Sequence, residues 1–237
     1  MAVDHVELLL NPQSASQRIG LFSVKNEGEK PVQALIRIED WDRAEDGTNR
    51  WYPAGTVKGS CGSALKIFPA SMQLAPGASQ TVRVTLDSAI TDRECWNAAI
   101  VETTQPRMVH GRSLLYVLRT AVKVYAGTAA LHSEGAVADL TVAPSTAAAD
   151  SGRPRIEAVF QNTGERHVVA HGSVEFRRPD NSVAERVSLP DAYALPGASA
   201  RVSAVAPALA PGRYVALALF DYGGDDIAAA QVEYQVP

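Results

Sequence analysis

The sequence predicts an all-β protein built from two related β-sandwiches in tandem. Short runs of β-branched and aromatic residues recur along the whole chain, and 17 glycines and 14 prolines punctuate them as turns. Several runs alternate cleanly, as Val82, Val84 and Leu86 do against Thr81, Arg83 and Thr85, which is the period of a half-buried strand. A pair of turn signals also occurs twice in the same order, once in each half. No stretch holds a 3.6-residue apolar stripe with caps at both ends, and the alanines at Ala147–Ala149 read as loop or strand.

Strand-like runs fill residues 17–26, 32–41, 80–87, 97–104 and 114–125 of the first half. The second half has them at 155–162, 168–178, 200–207, 213–222 and 228–236. The first turn signal is Asn-x-Gly-Glu, at Asn26–Glu29 and again at Asn162–Glu165. The second is Pro-Gly-Ala-Ser, at Pro76–Ser79 and again at Pro196–Ser199. Asn and Gly tolerate positive φ and Pro pre-sets its own φ, so each signal suits a tight turn between strands. The boundary falls near Gly127–Gly135, giving domains at 1–127 and 136–237. The first half is longer. Its surplus lies near 40–63, around Trp41, Trp51 and Tyr52, and reads as a loop or an extra hairpin.

Composition narrows the function. In 237 residues, 22 basic against 26 acidic side chains leave a net charge of −4, which argues against nucleic acid as a partner. No apolar run reaches the roughly 18 residues of a membrane-spanning helix, so no membrane insertion is expected. The N-terminus, Met1 to Leu10, lacks the pattern of a signal peptide, and the expectation is an exported protein whose leader has been removed. Cys61 and Cys95 should both lie at one end of the first sandwich. Either they are bridged, in an oxidising compartment, or they are two thiols in a reducing one.

Chemistry-bearing residues are sparse. His167 and His171 would share a face of a strand, with no third ligand in view, and read as solvated polar positions. His5, His110 and His132 fall near strand edges or loops without a visible partner. The run Asp221–Asp226 reads as a two-residue hairpin turn at Gly223-Gly224, because a calcium loop needs ligands at alternating positions. No nucleophile elbow, phosphate loop or dinucleotide fingerprint occurs. The chain is therefore expected to be no enzyme, with no metal and no cofactor.

One strand stands apart. From Ser113 to Tyr125, one face carries Leu114, Tyr116, Leu118, Thr120, Val122 and Val124, and the other Leu115, Val117, Arg119, Ala121 and Lys123. Up to Leu118 both faces are apolar, whereas a sandwich strand normally solvates one. Either the second domain or the Trp-rich insertion covers the outer face, or the strand is an edge that docks a partner by strand addition. On the second reading Leu114, Tyr116 and Leu118 point away from the core as an exposed row.

These residues resemble a family. The Asn26–Pro31 turn, the stretch Phe68–Val84 and the strand Arg119–Tyr125 are similar to the PapD-like periplasmic chaperones of pilus assembly. The resemblance is strongest in the first domain. It implies two immunoglobulin-like sandwiches and a chaperone that completes an unfinished pilin or surface subunit with its own strand. It makes Leu114, Tyr116 and Leu118 the client-facing residues and Lys123 half of a basic pair that holds the client's C-terminal carboxylate. The matching arginine is absent: the first strand reads Val6 to Leu10, with Leu10 near that position and no arginine before Arg18. An outer-membrane usher is the further partner implied. The alternative is a structural or adhesive component of a bacterial surface assembly on the same sandwiches.

Overall fold

The computed structural model describes residues 1–87, 93–109 and 112–237, so the His110 position lies outside the described residues. In chain order the first strands are β1 (Ala2–Val3), β2 (Glu7–Leu10), β3 (Ile19–Lys25), β4 (Val32–Arg43), β5 (Asn49–Pro53), β6 (Leu65–Phe68), β7 (Ser71–Leu74), β8 (Ser79–Leu86), β9 (Cys95–Val109) and β10 (Arg112–Ala126). They continue as β11 (Gly135–Pro144), β12 (Pro154–Asn162), β13 (Val168–Arg177), β14 (Val183–Ser188), β15 (Ala192–Ala194), β16 (Ser199–Val205), β17 (Gly212–Asp221) and β18 (Ala228–Val236). The helical segments among the described residues are two single 3₁₀ turns, Gly62–Ala64 and Ala148–Asp150. The second falls on the alanine stretch expected as loop or strand. There Arg153 donates to the Asp150 carboxylate and folds the chain back.

The chain divides into two compact units, residues 1–42 with 51–130, and residues 43–50 with 131–237. In the first, a sheet ordered β1-β3-β8-β6 faces a sheet ordered β2-β10-β9-β4-β5, with β7 also on β4. Alternation builds the core. Val82, Val84 and Leu86 are buried against Phe22, Val24, Leu74, Val101, Val122 and Val124, while Thr81 and Arg83 face outward. The surplus segment forms a hairpin, β4 running on to Arg43 and returning as β5. The second unit repeats the plan, with β11-β12-β16 facing β14-β13-β17-β18, and Ile156, Phe160, Val174, Phe176 and Phe220 wholly buried between them.

The two turn signals form a single structure, built twice. Asn26 is buried. Its side-chain amide donates to the carbonyls of Lys30 (2.8 Å) and Leu74 (3.1 Å), and its side-chain oxygen accepts from the Gly28 amide (3.0 Å). Its backbone takes the Gly77 amide and gives its own to Ala78, at 2.9 Å each. Asn162 does the same with Arg166 (2.8 Å), Ala194 (3.0 Å) and Gly164 (2.9 Å), and with Gly197 and Ala198 at 3.0 Å. Gly77 and Gly197 sit at φ of 74° and 76°, where a side chain would be strained. Neither turn closes a hairpin: the Asn turns lead from β3 to β4 and from β12 to β13, each across to the facing sheet.

That crossing sets the route by which the cysteines meet. β6 and β8 do pair, Leu65 against Leu86, but the chain between them first adds β7 to β4 in the facing sheet, so Pro76-Gly77 does not join them directly. Cys61 and Cys95 are bridged across 34 residues of chain. Reduction is expected to lower stability by about 3–4 kcal/mol, the loop-closure entropy returned to the unfolded chain. Urea melts with and without a reductant, alongside a Cys61→Ser/Cys95→Ser variant, check this.

The run around Gly223 is longer than a two-residue hairpin. β17 and β18 pair from Phe220 against Ala228, leaving a loop from Tyr222 to Ile227 in which the Gly223 amide, at φ 73°, bonds the Asp221 carboxylate (3.0 Å). His167 stacks on Tyr193 with ring centroids 6.0 Å apart, and the His171 Nδ1 lies 2.8 Å from Asp191, so the two histidines have different partners.

Candidate partner-binding site

The site is a hairpin that outgrows its sheet. β9 and β10 pair continuously from Ala126 against Cys95 out to Arg112 against Val109. Their neighbours stop early. β4 accompanies β9 only as far as Ala34 against Thr103, and β2 lies along β10 only over Lys123–Ala126. Residues 104–109 and 112–118 therefore form a two-stranded arm with no further strand on either side among the described residues.

Side chains along β10 record where the core ends. Val122 and Val124 are wholly buried. Leu114, Tyr116 and Leu118 are 45%, 46% and 50% exposed, and Leu115 and Val117 are 68% and 54% exposed. The first three are exposed, as one of the two sequence readings expects. They lie on the same face as Val122 and Val124, with no bulge between, and are exposed because the strand has run past the sandwich. Up to Leu118 the outer face stays exposed among the described residues. The Trp-rich insertion covers the outer face only further along, where Lys123 and Tyr125 stand.

The root of the arm is held by charge and then by rings. Arg37 donates to Glu39 (2.8 Å) and Glu102 (2.7 Å), and Arg119 donates to Glu39 and lies 3.7 Å from Glu102. The Arg37 guanidinium holds the Glu102 carboxyl below its usual range. One turn of the pleat further, the Lys123 ammonium lies 4.5 Å from the Trp41 ring centroid, and Tyr125 meets Trp41 edge-on at 6.2 Å. Trp41 is fixed in turn: its indole N–H donates to the Asn97 carbonyl (3.2 Å), and its own carbonyl accepts from Trp96 (2.9 Å). Buried Asp40 accepts from Thr56 (2.7 Å), Val57 (2.8 Å) and Ser60 (2.6 Å), which ties the insertion to this face. Gly59 is required there, because a Cβ would fall within 2 Å of the Trp96 ring. On the first strand, Leu8 and Leu10 are core residues, so the position near the expected arginine is filled by a buried leucine.

The two edges of the arm differ. Lys123 donates its amide to Val6 (2.9 Å) and Gly127 to Leu10 (3.0 Å), so odd-numbered residues of β10 turn their backbone groups away from β9. Along residues 113–121 those groups meet no strand among the described residues, and the open edge from 112 to 122 spans roughly 33 Å. On β9 the even-numbered residues face the outer edge, and one of them is Pro106, which has no N–H to offer.

No family model matches this sequence, and no curated protein matches it. Solved structures match its backbone. The class 5 fimbriae chaperone CfaA aligns at TM-score 0.55 and 12% identity, over 100% of this chain and 99% of its own. The chain has the fold of a fimbrial chaperone. The chaperone–tip adhesin complex of CFA/I fimbriae aligns at 0.53 and 11%, covering 100% of this chain and 98% of that one. The CsuC–CsuE chaperone–tip adhesion subunit complex, from archaic chaperone-usher Csu pili of Acinetobacter baumannii, aligns at 0.52 and 12%, covering 97% and 96%. In this chaperone fold the apolar run of β10 was readable from sequence. The outer row at Leu115 and Val117, the Arg37–Glu102 ion cluster and the Trp41 platform were not singled out, although the adjacent apolar positions after Ser113 already signalled the first of them.

Proposed function

We propose that this chain is a non-enzymatic, chaperone-like protein of the periplasm that holds an unfinished subunit of a pilus or surface assembly by lending it β10 as a strand. The observation that carries the reading is the arm, an apolar strand beyond its own core with an unoccupied backbone edge. Strand addition supplies the hydrogen bonds, and Leu114, Tyr116 and Leu118 supply register and burial. The Cys61–Cys95 bridge suits an oxidising compartment. Chaperone fold and subunit complexes occur together in the CFA/I and Csu structures. Lys123, on the other face and beside the first strand, is the further client contact, and an outer-membrane usher is the second partner in this scheme. No helix among the described residues is long and apolar enough to cross a membrane.

The test is isolation of the tagged protein from the periplasm of its own organism. The expected result is a complex in 1:1 ratio with a subunit that aggregates when it is made without the chaperone. Stable residence in finished surface fibres would instead support the structural-component reading. Two independently folding domains, 1–127 and 136–237, belong to the same proposal. Limited proteolysis is expected to cut first between Gly127 and Gly135 or in the 40–63 insertion. First cuts inside β-strands would contradict the division.

A further inference from the structure

The strand-addition reading uses one face of the arm, yet the arm has two. Among the described residues, five of the fifteen exposed large apolar side chains are the consecutive residues 114–118. Leu115 and Val117 stand on the outer face beside Pro106 and Thr104 of β9. Elsewhere on the same sheet this face carries Gln33, Arg37, Glu39, Glu102 and Arg119, with Leu9 and Leu35 as single exposed apolar residues among them. Beyond Arg119 the charged residues give way to a continuous apolar row that nothing among the described residues covers.

We propose that Leu115 and Val117, with Pro106, form a second client-contacting row, and that the segment captured at the β10 edge is a strand apolar on both faces and flanked by acidic residues. The inference rests on the strand-addition reading and extends it to the client's chemistry. The occupant is a strand, because the outward N–H and C=O groups at positions 113–121 repeat at the spacing that only an extended backbone matches. It enters from one side, because Pro106 removes an N–H from the β9 edge. It does not come from the chain's own N-terminus: β1 is paired with β3, and β2 already holds the edge from Lys123 onward. Charge argues against a second copy. β10 contains Arg112, Lys123 and the Glu39- and Glu102-paired Arg119 and no acidic residue, so two such strands side by side would add positive charge to positive charge. An incoming residue beside Leu114, Tyr116 or Leu118 lies on the inner face, and one beside Leu115 or Val117 on the outer. A client with polar groups on its outer face would leave the second row uncovered.

Two fluorescent ten-residue peptides ending in aspartates test this with the full chain. One alternates valine with threonine, and the other alternates valine with isoleucine. Fluorescence anisotropy is expected to show the valine–isoleucine peptide binding about tenfold tighter, the sum of two added apolar cross-strand contacts. Val117→Glu, and independently Leu115→Gln, should erase that advantage while the valine–threonine peptide still binds. Tyr116→Glu should lose both peptides. Equal affinity for the two peptides, unchanged by Val117→Glu, overturns the second row and leaves the strand-addition reading standing if Tyr116→Glu still loses both. No binding of either peptide to wild type overturns the inference and the reading together. Sedimentation showing a wild-type dimer that Val117→Glu splits makes a second copy the occupant and overturns the client assignment.

Discussion

Tyr116→Glu is expected to abolish client capture while moving the thermal melt by no more than about 1–2 °C. Tyr116 sits in the middle of the inner row, half exposed, where the strand has left its own core. An exposed substitution usually changes stability by about 0.5 kcal/mol, a small shift for a chain of this size. In the complex the same position is covered. A carboxylate there loses its water and finds apolar neighbours, a cost of at least about 3 kcal/mol, or more than a hundredfold in affinity. Lys123→Met is the contrast. Its ammonium rests over the Trp41 ring rather than beside an arginine on the first strand, where Leu10 is buried, so capture should fall by no more than about fivefold. Co-purification of the client with each variant, beside a melt of each, decides. If Tyr116→Glu unfolds the protein, the row is core. If it folds and captures as before, strand addition through this row is wrong.

The sequence carried the strands and the apolar run of β10 because both are local patterns. Val82, Val84 and Leu86 alternate within a single strand, and no partner is needed to read them. It did not carry the length of the β9–β10 hairpin relative to its neighbours. That length depends on where β4 and β2 stop, at Thr103 and Lys123, and pairing between distant segments leaves no mark in either one. The same gap explains why the sequence could not say how Leu114, Tyr116 and Leu118 come to be exposed. The sequence grouped them on one face with Val122 and Val124, and only the structure shows that this face passes from the core into the open along the strand. The ion cluster joins positions 37, 39, 102 and 119, and the Trp41 platform joins 41, 51, 96, 97 and 125; neither spacing is periodic. For the cysteines, sequence placed both at one end of the sandwich and left the bridge open. Only the crossing through β7 fixed how they meet.

Asn162→Ala and Asn26→Ala are each expected to destabilise the protein by about 3–5 kcal/mol, the largest stability losses outside the hydrophobic core. Each asparagine is almost wholly buried and joins two turns that are distant in sequence. Truncating Asn162 removes both donors from the carbonyls of Arg166 and Ala194 and the acceptor from the Gly164 amide, and alanine offers no replacement for any of them. A buried polar group left without a partner costs about 1–3 kcal/mol, so two or three such groups give the expected range. Asn162→Asp separates shape from hydrogen bonding. It preserves the acceptor for Gly164, but it turns two donors into a carboxylate oxygen that faces two carbonyls. At neutral pH it should be at least as destabilising as alanine. The direction with pH then follows: the buried carboxyl, pushed upward by burial and by the carbonyls, binds a proton more tightly folded than unfolded. Its penalty should shrink as pH falls through that raised value, because the protonated acid again donates to one carbonyl. Urea melts of the alanine and aspartate variants at pH 7 and pH 5 measure both effects. An Asn162→Asp variant as stable as wild type at pH 7 would show that the turns are held by shape alone.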